Sequence, residues 1–310
     1  MGNRSSSEGM EMMHKRGQVF TVLAIVIILL MFVSFEIFSI IHERQAIRTR
    51  VSTMDSFLHS IEKNLERQMY ISGFRILFLA ENEITTSAEY IDVEEFFNEG
   101  FFNGTVNGIP NDILIGATYE DLINSVNDKA NKINAEVKMS DYVFEIGQDD
   151  PWHVKFSISF DFVMSDLQDL AKWEKTQNIT AFIPIAGFQD PIYILNTGAQ
   201  VSRTINQTIY EGNYVNAGDV TNLSLHVEKG YYAANSNAPS FLNRLEGNFT
   251  GDVNGIESFV KIPELPGSVE TKTCIDYFYF SSSNPSASTV TGMPSWFRID
   301  DGHKIKYQIS

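Results

Sequence analysis

The chain has 310 residues, 43% of them hydrophobic, and a formal net charge of −16. That acidity argues against nucleic acid, which needs clustered Lys and Arg, and against adsorption to anionic lipid; it mainly serves solubility. Cys274 is the only cysteine, so no internal disulfide forms and a Cys/His zinc site is excluded.

Residues 1–17 form a short basic leader. Residues 18–41, QVFTVLAIVIILLMFVSFEIFSII, follow as one long apolar run. Roughly 20 such residues cross the hydrocarbon core of a bilayer as a helix. Thr21, Ser34 and Ser39 are tolerated because a helix satisfies its own backbone, and Glu36 lies in the distal third, within reach of headgroups. The run is too long for the apolar part of a secretory signal, and no small-residue cleavage site follows it. It reads as a retained, single transmembrane helix whose partner is the lipid bilayer. Flanking charge is balanced between Lys15 and Arg16 on one side and Arg44, Arg48 and Arg50 on the other, so it does not set orientation.

The stretch Lys15-Arg16-Gly17-Gln18-Val19-Phe20-Thr21 resembles the processing site of archaeal type IV pilin-like membrane-anchored surface proteins, the class III signal peptide. The resemblance implies cleavage by a prepilin peptidase after Gly17, a mature chain that begins at Gln18, and contact with other pilin-like subunits. Where that class often carries Glu at the fifth mature position, this chain has Val22, a departure that bears on subunit register in a filament and not on the anchor.

Residues 42–84 read as a helical stalk. Ile47, Val51, Met54, Leu58, Ile61 and Leu65 step by four and three alternately, which is a heptad seam. Glu43, Arg48, Asp55, Glu62, Lys63 and Glu66 form a charged outer face. The same phase reaches Met69, Ile76 and Ala80, with Gly73 as a weak point. Such a seam either packs on the chain's own head or joins copies of it.

Residues 85–197 predict an α+β head. Short helical patterns lie near 91–99 and 118–133. Trp152, Val154, Phe156, Ile158, Phe160 and Phe162 then alternate with polar residues, a strand with one buried face. A strand from Val137 to Ile146 precedes it, joined by a turn over 147–151, and its phase slips near Ser140-Asp141, the mark of a bulge. A short helix at 166–173, a third strand over Thr176–Ile185 and a further strand at 191–197 complete this part. Three antiparallel strands with an apolar face need a cover, and the long helix supplies one. Residues 198–310 read as a β-rich C-terminal portion, a second subdomain with a boundary near 197. Cys274–Phe280 reads as a strand, and Asp300-Asp301-Gly302 between two alternating runs reads as a hairpin turn.

Motifs for chemistry are missing. The six histidines show no metal-ligand spacing, and neither a phosphate-binding glycine loop nor a nucleophile elbow occurs. Asp149, Asp150 and His153, and likewise Asp300, Asp301 and His303, bracket turns. Oxygen ligands there could hold Ca²⁺, but Asp also favours turns for local hydrogen bonding, and the reading is turn chemistry, with neither metal nor cofactor. Glycosylation triplets begin at Asn103, Asn178, Asn206, Asn222 and Asn248, with another at Asn3 in the leader. The aromatic cluster of Tyr231-Tyr232, Phe241, Tyr277–Phe280 and Trp296-Phe297 reads as sheet core, with a sugar- or partner-binding face as the other reading. Together these features predict a single-pass membrane protein with its head outside the cell, structural or adhesive and not an enzyme. The alternatives are an ectodomain that binds a ligand or assists a membrane complex, and an anchored hydrolase.

Overall fold

The computed structural model describes residues 5–167, 171–265, 271–283 and 285–309, with side chains from Phe20 onward. Its axis is one uninterrupted helix, α1, Ser5–Ser87, of 83 residues, about 125 Å long at 1.5 Å per residue. The backbone runs through Gly17 and Gln18 without a break; their side chains lie outside the described residues. From Phe20 to Ile41 every side chain is exposed, and this stretch is long and apolar enough to cross a membrane. No proline interrupts α1 from Gln18 to Ser87, which is why it continues directly into the head.

The helices α2 (Val93–Asn98) and α3 (Tyr119–Asn131) follow. Asp92 caps α2 by accepting from the Glu95 N–H, and Thr118 with Asp121 forms a capping box on α3. A π-helical turn, Glu99–Asn103, and a small hairpin of β1 (Thr105–Val106) and β2 (Ile109–Pro110) connect them. The main sheet is an antiparallel meander of β3 (Ala135–Asp150), β4 (His153–Asp166) and β5 (Lys172–Pro184). Val154, Phe156, Ile158, Phe160, Phe162 and Met164 of β4 are all buried on one face. Their partners on that face are Ile146, Phe144, Met139 and Val137 of β3, and Ile183, Ala181 and Ile179 of β5. The register shifts between Ser140 and Val143, with Asp141 at φ 51°, so the phase slip near Ser140-Asp141 is a bulge that keeps both halves of β3 facing the core. The outer half of α1 packs along β5 and β4 on this face, and α3 covers β3.

Several expected elements differ. β3 continues to Asp150 through a second register shift, so the connection to β4 is only Pro151-Trp152 and not a turn over 147–151. No helix starts at 166; β4 ends at Asp166, Leu167 donates its N–H to Asn134 O at 3.1 Å, and the part of the expected helix at 168–170 lies outside the described residues. The strand expected at 191–197 is helix α4 (Pro191–Asn196), because Asp190 caps it and Pro191 pre-sets its first turn.

Among its described residues the carboxy-terminal portion is not β-rich. It holds the short helices α5 (Thr221–Lys229), α6 (Phe241–Leu245), α7 (Asp276–Phe280) and α8 (Asp301–Lys306). Its strands are two or three residues long: β6 (Ala233–Ala234) with β7 (Ile256–Glu257), and β8 (Ala287–Thr289) with β9 (Arg298–Asp300). The aromatic run expected to be a strand is α7, and the expected hairpin at Asp300 is instead a helix start. Asp300 accepts from the His303 N–H at 3.2 Å, so the residue that would sit in a hairpin turn caps α8. A second core gathers Tyr214, Leu223, Phe259, Phe297, Ile299 and Tyr307. The division near 197 is partial, since Ile205, Tyr232, Phe241, Leu245 and Ile256 pack into the first core with the sheet.

Candidate functional site

The seam residues of α1 divide by position. Met54, Ile61 and Leu65 are buried, as are Met69, Ile76 and Ala80 further along. Leu58 is half-buried against the first core, Ile47 is half-buried, and Val51 is 38% exposed. The boundary is set where the sheet begins. Arg50 donates to Asp166 Oδ1 at 2.5 Å and to Asn134 O at 2.7 Å, so the strand ends meet α1 there. From Met54 outward the expected stalk is therefore part of the head's core, Arg50 marks where the head begins, and residues 42–49 form a bare helical neck. Lys175 pairs with Glu62 at 2.5 Å on the rim of this contact. At Gly73 the helix comes close to the sheet: a Cβ there would stand 2.3 Å from Ile183 Cδ1 and 2.9 Å from the Phe156 ring. The glycine that weakens the helix is thus the one that lets it approach.

Four acceptor asparagines, Asn103, Asn178, Asn206 and Asn248, are exposed. Asn178 lies on the open polar face of the sheet, opposite Ser159. Asn222 is half-buried in the first turn of α5 and donates its amide to Asn213 O at 2.9 Å.

The feature that sequence reasoning missed is a network of buried charges between segments far apart in the chain. Arg244 of α6 is fully buried. Its Nη1 donates to Asp190 at 2.5 Å and to Asp276 at 3.0 Å, and its Nη2 donates to Ile256 O. Tyr232 donates its hydroxyl to Asp190 at 2.7 Å, and Ser258 donates both its N–H and its hydroxyl to Asp276. Asp190 also caps α4, so three short helices meet on one guanidinium. Burial raises the Asp276 carboxyl, against the pull of Arg244. Burial opposes the charge of Arg244, but Asp190 and Asp276 more than restore it.

A second group adjoins it. Fully buried Glu257 accepts from Lys306 at 2.6 Å, from the Tyr307 hydroxyl at 2.8 Å and from Asn235 at 2.5 Å, and it stands 3.1 Å from His303 Nε2. His303 Nδ1 lies 2.9 Å from Asp300. Burial alone would raise Glu257, but His303 and Lys306 hold it down to about 2. Burial likewise would lower His303, and Asp300 with Glu257 lifts it to about 9. His226, enclosed by Tyr214, Phe259 and Tyr307, is pushed down to about 4 by burial. The Asp149-Asp150-His153 turn is local: His153 Nδ1 stands 3.0 Å from Asp150. Among the described residues no group of three or more His, Cys, Asp or Glu side chains has the arrangement of a metal site.

Among the clefts on the described surface, two differ in chemistry. One, of about 420 Å³, is acidic and lies between the end of α1 and α2, lined by Glu83, Glu89, Asp92, Glu95 and Glu99. The other, of about 510 Å³, is lined by Phe249, Tyr277, Phe278, Phe280 and Ser281 through Ser283. The aromatic run thus divides between core and cleft: Tyr277 and Tyr279 are buried, while Phe278 and Phe280 are partly open. In comparisons with known proteins, no family model, curated protein or solved structure matches this chain.

Proposed function

We propose that this chain is a pilin-like, membrane-anchored cell-surface protein whose head does structural or adhesive work outside the cell without catalysing a reaction. The observation that carries this reading is α1: an exposed apolar segment and a head-packing segment on one unbroken helix. The match at Lys15-Arg16-Gly17-Gln18 supports a pilin-type anchor. Exposed acceptor asparagines and net acidity support an outward-facing head. Asp190 and Asp276 have no exposed surface and are held by the buried Arg244, which favours a structural role for them.

N-terminal sequencing of the protein extracted from native membranes tests the anchor and is expected to begin at Gln18. An intact Met1 would remove the pilin-type reading and leave a simple signal anchor. Protease added to intact cells should reach the head or be blocked there by glycans; full protection of an unglycosylated head until lysis would place it in the cytoplasm. The aromatic cleft beside Phe249 and Phe278 favours a second reading, an ectodomain that binds a ligand with a flat apolar face and hydroxyls, such as a sugar. Glycan-array binding that is lost in Phe278→Ala would establish it.

A further inference from the structure

We propose that Lys306 and Asn235 join through an intramolecular amide bond, with Glu257 moving the proton. Three geometric facts place the reacting groups. Lys306 Nζ donates to Glu257 Oε1 at 2.6 Å, and Asn235 Nδ2 donates to Glu257 Oε2 at 2.5 Å, so nucleophile and leaving group sit on the two oxygens of one carboxylate. Lys306 Nζ also donates to Ala234 O at 2.8 Å, which fixes the amine beside the next residue, Asn235. The Asn235 carbonyl oxygen accepts from the Asn237 N–H at 3.1 Å, a donor positioned where negative charge develops during attack.

The step balances without any co-reactant. A proton passes from the Lys306 ammonium to Glu257 along their hydrogen bond, leaving a neutral amine and a neutral acid. The amine attacks the Asn235 amide carbon, and Glu257 delivers the proton to the departing nitrogen. The excess proton on the new bond's nitrogen leaves with it, so the nitrogen departs as ammonium, Glu257 is again a carboxylate, and the Lys–Asn amide remains, lighter than its parts by one ammonia. Two features of the site favour this. Glu257 is fully buried and Lys306 is 24% exposed, so little water competes with the amine for the amide carbon. Holding both reactants on one carboxylate supplies the proximity that makes a sluggish aminolysis intramolecular. The positive His303 beside Glu257 favours its ionised form, so the bond forms slowly after folding.

The consequence is structural. Cys274 is the only cysteine, so no disulfide can staple this region. The amide would close the chain from Asn235 to Lys306 and lock α8, the last helix, onto β6 and β7.

Peptide mapping of the full-length protein by mass spectrometry, before and after prolonged incubation, tests the proposal. The expected result is a branched peptide joining the segments that contain Asn235 and Lys306, lighter than their sum by one ammonia. Intact mass alone is insufficient, since cyclisation of an N-terminal Gln18 loses the same molecule. Lys306→Arg keeps the ion pair with Glu257 and should give only linear peptides; Glu257→Gln should do the same while retaining both reacting residues. Should Glu257→Gln fail to fold, the wild-type and Lys306→Arg maps still decide. Recovery of Asn235 and Lys306 only in separate, unmodified peptides of the wild type would overturn the proposal. A link from Lys306 to Glu257 with loss of water would overturn it equally.

Discussion

Replacing Leu65 by Ala, with Val51→Ala as its counterpart, tests what covers the helix. Both residues occupy the same heptad seam, yet Leu65 is 1% exposed and Val51 is 38% exposed. Leu→Ala removes about three carbon groups at about 0.8 kcal/mol each. The unfilled cavity adds to this, for a total of about 3–4 kcal/mol. For a head of this size that is a fall of about 10 °C in melting temperature. Val51, at the edge of the sheet contact, is already open to solvent, so Val51→Ala should change stability by no more than about 0.5 kcal/mol. The assay is denaturant unfolding of the full chain in detergent, followed by tryptophan fluorescence. Trp152 and Trp173 pack against the first core and Trp296 against the second, so both cores report. If Leu65→Ala unfolds with the parent, or if Val51→Ala loses as much as Leu65→Ala, the head is not what buries the seam. In that event the outer helix would have to be covered by another copy.

Gly73→Ala should destabilise by about 1 kcal/mol despite the better helix propensity of Ala, because the added carbon meets Ile183 and Phe156; a raised denaturation midpoint would contradict the close packing. Arg244→Met should cost about 3–5 kcal/mol, since it leaves Asp190 and Asp276 buried together without a cation; unfolding curves measured near neutral pH would show it. Stability should also peak near pH 6.5. His303, raised to about 9, contributes fully below its ordinary 6.5 and loses that contribution as pH rises through 9. His226, lowered to about 4, contributes fully above 6.5 and loses it as pH falls towards 4. Melting temperatures across pH 4–9 should therefore decline on both sides, with His303→Gln flattening the alkaline limb and His226→Asn the acid limb.

The parts of the fold legible from residue order are those with a long period. The apolar run and the alternation from Trp152 to Phe162 persist over enough residues for helix and strand periods to separate, and even the bulge shows as a slip in phase. The carboxy-terminal portion offers no such length. A helix of five residues, such as α7, covers little more than one turn, so Tyr277-Phe278-Tyr279-Phe280 carries only its aromatic preference for strands. Asp300-Asp301-Gly302 fits a hairpin turn and a helix cap equally well. Burial of His303 and Tyr307 decides for the helix, a tertiary effect that local sequence does not encode. The ionic network was illegible for a related reason. Asp190, Arg244 and Asp276, or Asn235, Glu257 and Lys306, have no fixed spacing, because irregular chain of any length can bring them together.

The bare neck from residue 42 to residue 49 has a mechanical consequence. A glycine- or serine-rich tether in its place would let the head swivel freely. A continuous helix does not: Ile41 and Arg50 are separated by 9 steps, about 14 Å at 1.5 Å per residue, and that spacing varies only if helical hydrogen bonds break. The head thus rides at a set height with a set azimuth, and tilting the inner end by a few degrees swings the far end of the molecule through several ångströms. Force applied to the surface of the head arrives at the apolar end as torque as well as tension.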